Sequence, residues 1–387
     1  MTAWPPVWTR RRAILAGTAV LTVSAIVGTG MFVAAASRVS PGSLRIRGAD
    51  VSFALQTEAA GTRLSDAGQV LPVEQILANH GATYLRVRVW VDPAPGTSDL
   101  AAALTLARRA AAAGLHIVLD LHYSDTWADR TNQQTPAAWQ SLGPDQLAAT
   151  VEDYTRDVLT AFEAQGTPAD IVQLGNEITN GMLWPTGWLA GTAGDDWTHF
   201  DELLRAAERG AHSTALQHPP AVMIHVDTGV NVELSTRFFD HLVGAGIPFD
   251  LIGVTFYPFW HGSLPELQNL LNSLAWRYEK DIVIAETSYP WTLANADGTA
   301  NIVSTAAQLP EAALYPPTEA GQRAYFQALR AVLLSVPGGH GAGFLDWEPA
   351  WLAGVGISKD IGNAYDNLTL FDAAGRGIAA LDGFAPP

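Results

Sequence analysis

The chain has 387 residues, 48% of them hydrophobic, a formal charge of −16 and no cysteine. That is enough chain for one large core or two small ones. An acidic body without a basic patch argues against nucleic acid and against polyanionic substrates and favours a neutral one. The lack of cysteine rules out disulfides and thiolate chemistry, and no HExxH-like pair offers a zinc site.

The first segment reads as a targeting sequence. Arg10-Arg11-Arg12 precede an uncharged stretch over residues 13–36, Ala34-Ala35-Ala36 supplies an A-x-A cleavage signal, and Arg38 follows. Residues 1–40 are therefore expected to be a signal peptide. Because the stretch is long enough to cross a bilayer, an uncleaved anchor is the alternative, with the basic flank in the cytoplasm. Residues 9–15 also loosely resemble a twin-arginine signal. In either case the body is expected outside the cell, touching a membrane only through this segment.

From residue 41 to residue 387, strand-like and helix-like runs alternate. Strands are predicted over residues 44–52, 84–91, 115–121, 171–174, 221–226, 251–256, 282–285 and 343–347. Helical patterns lie between them, for example over 100–113, 144–164, 201–216, 264–278 and 319–336. Eight strands alternating with helices indicate a parallel sheet, and the length suits a single-domain α/β fold, a (β/α)8 TIM barrel with long loops. An open doubly wound sheet would announce a nucleotide with a Gly-rich turn after the first strand, but the turn here is Phe53-Ala54-Leu55-Gln56-Thr57-Glu58.

In such a barrel, polar residues at the C-terminal ends of strands face the active site. On the second strand, Arg86, Arg88 and Trp90 share one side by period-two alternation. Buried arginines demand carboxylates, and Asp50 with two later glutamates are the candidates. Arg86 reads as a structural ion pair low in the barrel, and Arg88, nearer the strand end, as the cation of the site. The third strand exits into His122-Tyr123-Ser124-Asp125-Thr126-Trp127, a mixture of aromatic and polar groups suited to sugars. The fourth and seventh strands end in Asn176-Glu177 and Ala285-Glu286. Two carboxylates brought together there are what a glycosidase needs: one protonates the leaving oxygen, the other attacks the sugar or activates water. Aromatic exits recur at Tyr257-Pro258-Phe259-Trp260-His261, Tyr289-Pro290-Trp291 and Trp347-Glu348-Pro349-Ala350-Trp351.

Taken in order from residue 48 to residue 351, these stretches, with Gly48-Ala49-Asp50-Val51-Ser52, Gln173-Leu174-Gly175-Asn176-Glu177 and Leu183-Trp184-Pro185-Thr186-Gly187, resemble glycoside hydrolase family 53, the clan A endo-β-1,4-galactanases. The resemblance implies a retaining double displacement on β-1,4-galactan side chains of pectin, with Glu177 as acid/base and Glu286 as nucleophile. It implies Asn176 on the sugar 2-hydroxyl, and substrate contacts from Asp50, Arg88, Trp90, His122, Asp125, Trp127, Tyr257, Trp260, His261, Trp291 and Trp347. Arg88 is expected to favour the ionised form of Glu286. No cofactor is expected. Some bacterial members hold calcium in the loop after the seventh strand, but the stretch here, with Asn295, Asp297 and Asn301, has few acidic oxygens for an ion that takes six to eight ligands. The competing readings are another clan A endo-glycosidase, such as a mannanase, and a sugar-binding barrel without turnover; paired carboxylates argue against the latter.

Overall fold

The computed structural model describes residues 43–189, 196–355 and 362–386. The targeting segment lies outside them. Among the described residues no helix is long and apolar enough to cross a membrane.

Eight short apolar runs form the strands β1 (Ile46–Asp50), β2 (Tyr84–Val89), β3 (His116–Leu121), β4 (Ile171–Leu174), β5 (Ala221–Val226), β6 (Leu251–Thr255), β7 (Asp281–Thr287) and β8 (Gly341–Trp347). They pair in chain order, all parallel, and β1 closes on β8, so the predicted barrel is what forms. The approach of β1 to β2 is close: a Cβ on Gly48 would lie 2.0 Å from the Tyr84 carbonyl oxygen, so only glycine fits there.

Outer helices α1 (Val73–Asn79), α2 (Leu100–Ala112), α3 (Pro144–Ala164), α4 (Thr198–Ala211), α5 (Val232–Gly244), α6 (Leu264–Tyr278) and α7 (Glu319–Leu334) cover the strands. Short polar side chains start several of them. Asp99, Asn231, Ser263 and Thr318 each accept a first-turn backbone N–H, and Ser263 forms a reciprocal box with Glu266. Helix α4 starts three residues before, and ends five before, the predicted 201–216. Its apolar stripe already begins at Phe200, and the chain past His212 closes a turn, with Leu216 N–H donating to the Ser213 carbonyl.

The bore changes character along its axis. At the N-terminal end it is filled by Ile46, Val118, Ile171, Met223, Leu251, Val283 and Leu345. One pleat higher the inward side chains are Asp50, Arg86, Asp120, Gln173 and His225, all fully buried. The alternate residues, among them Leu85, Leu119, Val172, Ile224 and Ile284, pack outward under the helices.

One irregularity matters for function. In the β6–β7 ladder Val254 pairs with Ile284, yet Thr255 pairs with Glu286, so one residue of β7 is skipped. Val283 and Ala285 belong to the bore cluster, so strict alternation would turn Glu286 outward. The bulge turns it inward instead and leaves Thr287 on the outer side, close to Tyr325 of α7.

Candidate active site

Arg86 organises the upper bore. Its guanidinium reaches Asp50 Oδ2 at 2.9 Å, Asp120 Oδ2 at 2.9 Å and Glu286 Oε1 at 3.0 Å, and also donates to Gln173 Oε1 at 3.2 Å and Asn176 Oδ1 at 2.9 Å. The side chain is fully buried, and all three carboxylates raise its already high pKa. The sequence assigned the site cation to Arg88, and the structure reverses this. Arg86 touches Glu286, whereas Arg88 pairs with Glu348 at 3.1 Å and lies 4.4 Å from the Trp127 ring centroid. The misassignment came from ranking the two by height on the strand. A long guanidinium climbs from its own level to the strand ends, so the lower arginine reaches Glu286.

Replacing Arg86 with methionine strands three buried carboxylates. The expected loss is about 3–5 kcal/mol of stability, read from urea unfolding. A loss below about 1 kcal/mol would mean that those carboxyls are already neutral in the parent.

Glu177 follows β4 in the left-handed region, with φ 50° and ψ 47°. The Gly175 just before it has φ 80°, and a Cβ there would lie 2.6 Å from Ile178 Cγ2, so glycine is required for the turn. Non-glycine residues in this region cost on the order of 1–3 kcal/mol, and such strain gathers at functional sites. The turn presents Glu177 at the barrel mouth with 8% exposure. Its Oε1 is hydrogen-bonded to Thr255 Oγ1 at 2.5 Å, and its Oε2 accepts from Arg130 N at 3.4 Å. Glu286 Oε2 accepts from the Tyr257 hydroxyl at 3.1 Å.

The two glutamates differ in surroundings and hence in proton affinity. Burial pushes both up. At Glu286 Arg86 and Tyr257 oppose burial, and its pKa is pushed up to about 7. At Glu177 the charges of Glu286 and Asp227 add to burial, and the pKa goes well above the ordinary carboxylate range. A pair holding one proton keeps it on Glu177 and leaves the charge on Glu286 beside Arg86.

The predicted binding residues separate into three groups. Arg88, His122, Trp127, Asn176, Tyr257, Trp260 and Trp347 line a cavity of about 530 Å³ together with both glutamates. Asp50, Trp90 and His261 stand behind this lining. Asp50 braces Arg86, Trp90 Nε1 donates to His122 Nδ1 at 3.2 Å, and His261 contacts Asp227 at 3.2 Å. His122 Nδ1 also accepts from Ala128 N at 3.2 Å, so its hydrogen is on Nε2, pointing at Asp120 Oδ2 at 2.9 Å. Asp125 and Trp291 lie off the cavity. Asp125 ties loop backbone by accepting from Asp92 N and Ala137 N, and Trp291 N–H donates to the Asn367 carbonyl. Both follow a strand end, and the Asp125 loop reaches the mouth only from Trp127 onward.

Sequence reasoning missed Asp129, Asp227, Thr255 and Tyr365, and named Trp351 only as part of an aromatic exit; all five also line the cavity. Thr255 stands two residues before Tyr257 and shares its inward side, a signal that alternation offered. Tyr365 comes from a loop far along the chain, where no local pattern marks it. The loop over residues 292–301 is tied together by its own polar groups. Asp297 accepts backbone N–H groups from Thr299 and Asn363, Asn295 Nδ2 donates to the Thr299 carbonyl, and Asn301 Nδ2 donates to the Ala294 carbonyl. Among the described residues no group of three acidic or imidazole side chains is spaced for a metal.

A parallel barrel presenting two buried carboxylates of unequal proton affinity at its mouth, ringed by tryptophan, defines a glycoside hydrolase. The sequence profile of glycosyl hydrolase family 53 matches residues 46–384, and the chain belongs to that family. It is 35% identical over 350 residues to the arabinogalactan endo-β-1,4-galactanase of Humicola insolens, covering 88% of this chain and 99% of that one. It is 39% identical over 345 residues to an uncharacterised protein of Niallia circulans, covering 87% and 92%. The solved catalytic domain of a family 53 enzyme from Ignisphaera aggregans superposes with a TM-score of 0.82 at 34% identity, covering 88% of this chain and 95% of that one.

Proposed function

We infer that this enzyme hydrolyses internal β-1,4-galactosidic bonds of galactan, the side chains of pectin, by double displacement. The observation that carries the chemistry is the asymmetry of the carboxylate pair: Glu286 is held by a guanidinium and a phenol, and Glu177 touches only neutral groups, the Thr255 hydroxyl and the Arg130 backbone N–H. Glu286 attacks the anomeric carbon while Glu177 gives its proton to the departing oxygen. Glu177, now ionised, draws a proton from water, which displaces Glu286 from the sugar. Asn176 has its amide oxygen committed to Arg86 and one amide hydrogen to the Ala128 carbonyl, which leaves the second hydrogen to meet the substrate. No step requires a cofactor. Product analysis on linear galactan, beside mannan and xylan, tests the reading: short galacto-oligosaccharides of mixed length support it, and turnover of mannan alone replaces it with the rival clan A activity.

The cavity fits a neutral sugar chain. Trp127, Trp347, Trp351 and Tyr365 make a continuous aromatic wall, with Trp347 and Tyr365 centroids 4.8 Å apart and Trp351 stacked on Tyr365 at 5.7 Å. Aromatic faces cover sugar C–H faces at low entropic cost. Trp260 is 54% exposed at the rim, whereas Trp351 is 7% exposed and packed on Phe53. Trp260→Ala is therefore expected to raise KM for polymer with little change in Tm, and Trp351→Ala to remove about 3–5 kcal/mol of stability. Equal melting temperatures for the two variants would erase the distinction between rim and wall. Residues 1–40 act as the export signal or anchor in this reading, and the barrel works outside the cell.

A further inference from the structure

A fully buried histidine that the mechanism does not use sits behind the acid/base. His225 of β5 faces the bore with Nδ1 at 2.9 Å from Asn176 Oδ1 and Nε2 at 2.8 Å from Thr255 Oγ1. Thr255 Oγ1 in turn is 2.5 Å from Glu177 Oε1. The four side chains form a single file of hydrogen bonds, and its direction can be worked out.

The orientation of the Asn176 amide is fixed from two sides. Arg86 Nη2 and Gln173 Nε2, which only donate, face Oδ1 at 2.9 and 3.0 Å, and the Ala128 carbonyl, which only accepts, faces Nδ2 at 2.9 Å. His225 Nδ1 faces the same Oδ1 and must carry a hydrogen. A neutral His225 therefore has a bare Nε2, which needs the Thr255 hydroxyl proton. With its hydrogen given to Nε2, Thr255 turns a lone pair to Glu177, and the proton in the 2.5 Å contact between their oxygens then comes from Glu177; an ionised Glu177 would take the Thr255 hydrogen instead.

We propose that His225 is a positioning residue for the acid/base, acting through the Thr255 hydroxyl to hold Glu177 in its proton-bearing form until the leaving group takes the proton. In the resting enzyme Glu177 Oε1–H donates to Thr255 Oγ1, and Thr255 O–H donates to His225 Nε2. During glycosylation the Glu177 proton moves to the glycosidic oxygen, which keeps the electron pair of the breaking carbon–oxygen bond. The carboxylate left behind turns the Thr255 hydroxyl toward itself and leaves Nε2 without a donor. When the incoming water gives Glu177 its proton, the hydroxyl turns back. The unmet Nε2 makes the ionised form less favourable than it would be beside a free threonine.

Charged neighbours agree with these protonation states. Around His225 stand Arg86 of β2 and Asp120 and His122 of β3; burial and Arg86 keep its pKa well below the ordinary histidine value. Around Glu177 stand Glu286 of β7, Asp227 after β5, Asp129 and Arg130 after β3, and Tyr257 and Tyr365. Arg88 of β2 lines the same cavity; the three carboxylates still outnumber the two arginines, and burial and the charges of Glu286, Asp227 and Asp129 favour the protonated acid against the Thr255 hydrogen bond, which favours the ionised one.

The proposal rests on Glu177 being the acid/base, and the test separates the two. The readout is the alkaline limb of kcat/KM on galactan, which follows loss of the Glu177 proton. His225→Phe frees the hydroxyl for the carboxylate and is expected to move that limb to lower pH by about one unit. Thr255→Val, which has no hydroxyl to free, is expected to leave the limb at or above the parent's. In the Thr255→Val background His225→Phe is expected to add no shift, because its effect runs through the missing hydroxyl. An aryl galactoside with a good leaving group should show no such movement of its limb in any variant. An unmoved limb in His225→Phe, or an equal shift with and without Thr255, overturns the proposal, whereas equal losses of galactan and aryl-glycoside turnover in Glu177→Ala overturn the acid/base reading itself. Nitrogen NMR of the parent enzyme provides a measurement that needs no variant: hydrogen on Nδ1 and a bare Nε2 are expected near neutral pH, and an Nε2–H tautomer or an imidazolium there also overturns it.

Discussion

Glu286→Gln is expected to lower kcat on galactan by about 10⁵-fold or more, the scale seen when covalent nucleophiles are removed from other enzymes. The glutamine keeps the volume and the oxygen facing Arg86, which still holds Asp50 and Asp120, so the fold is expected to survive. A thermal melt beside a reducing-sugar assay checks both halves. Near-parental activity in a folded variant would remove Glu286 from the mechanism. A folded, inactive variant that still binds galactan locates the defect in bond making rather than in recognition.

Glu177→Ala has the next largest effect, with a split outcome. General acid–base assistance contributes about 10²–10⁴-fold, and a sugar leaving group needs all of it. Turnover of galactan should fall by that factor. An aryl galactoside whose phenol leaves unaided should keep its first step and accumulate glycosyl-enzyme, because the second step still lacks its base. Added azide, a nucleophile that needs no base, should then restore turnover of the aryl substrate. Equal losses on both substrates, without azide rescue, would assign Glu177 to binding alone.

Much of this site was legible because the bore obeys a simple alternation. β-Branched runs marked the strands, and Asp50, Arg86 and Arg88 fall on one side by counting in twos. Glu177 was legible as the last residue of a short apolar run. Partnership was not legible. Which arginine serves Glu286 depends on how far a side chain climbs, and strand counting carries no height. Asp125 and Trp291 illustrate the same gap in loops: their types suited sugar, but loop backbone claims the Asp125 carboxylate and Trp291 lies off the cavity. Thr255 and His225 looked like ordinary strand residues, and only their juxtaposition across three strands gives them a role.

The bulge in β7 gives the position of Glu286 an unusual kind of protection and an unusual kind of fragility. Which way residue 286 faces is decided by a count of backbone units, not by the chemistry of its neighbours. Conservative drift at Val283, Ile284 or Ala285 leaves that count untouched, so the strand can vary in composition without losing its reactive group. A single-codon deletion inside it has the opposite character. It could spare hydrophobicity, strand propensity and every functional side chain, yet aim the carboxylate at helix α7 and silence the enzyme. Designers who transplant this strand into another barrel need to carry its irregularity along with its glutamate.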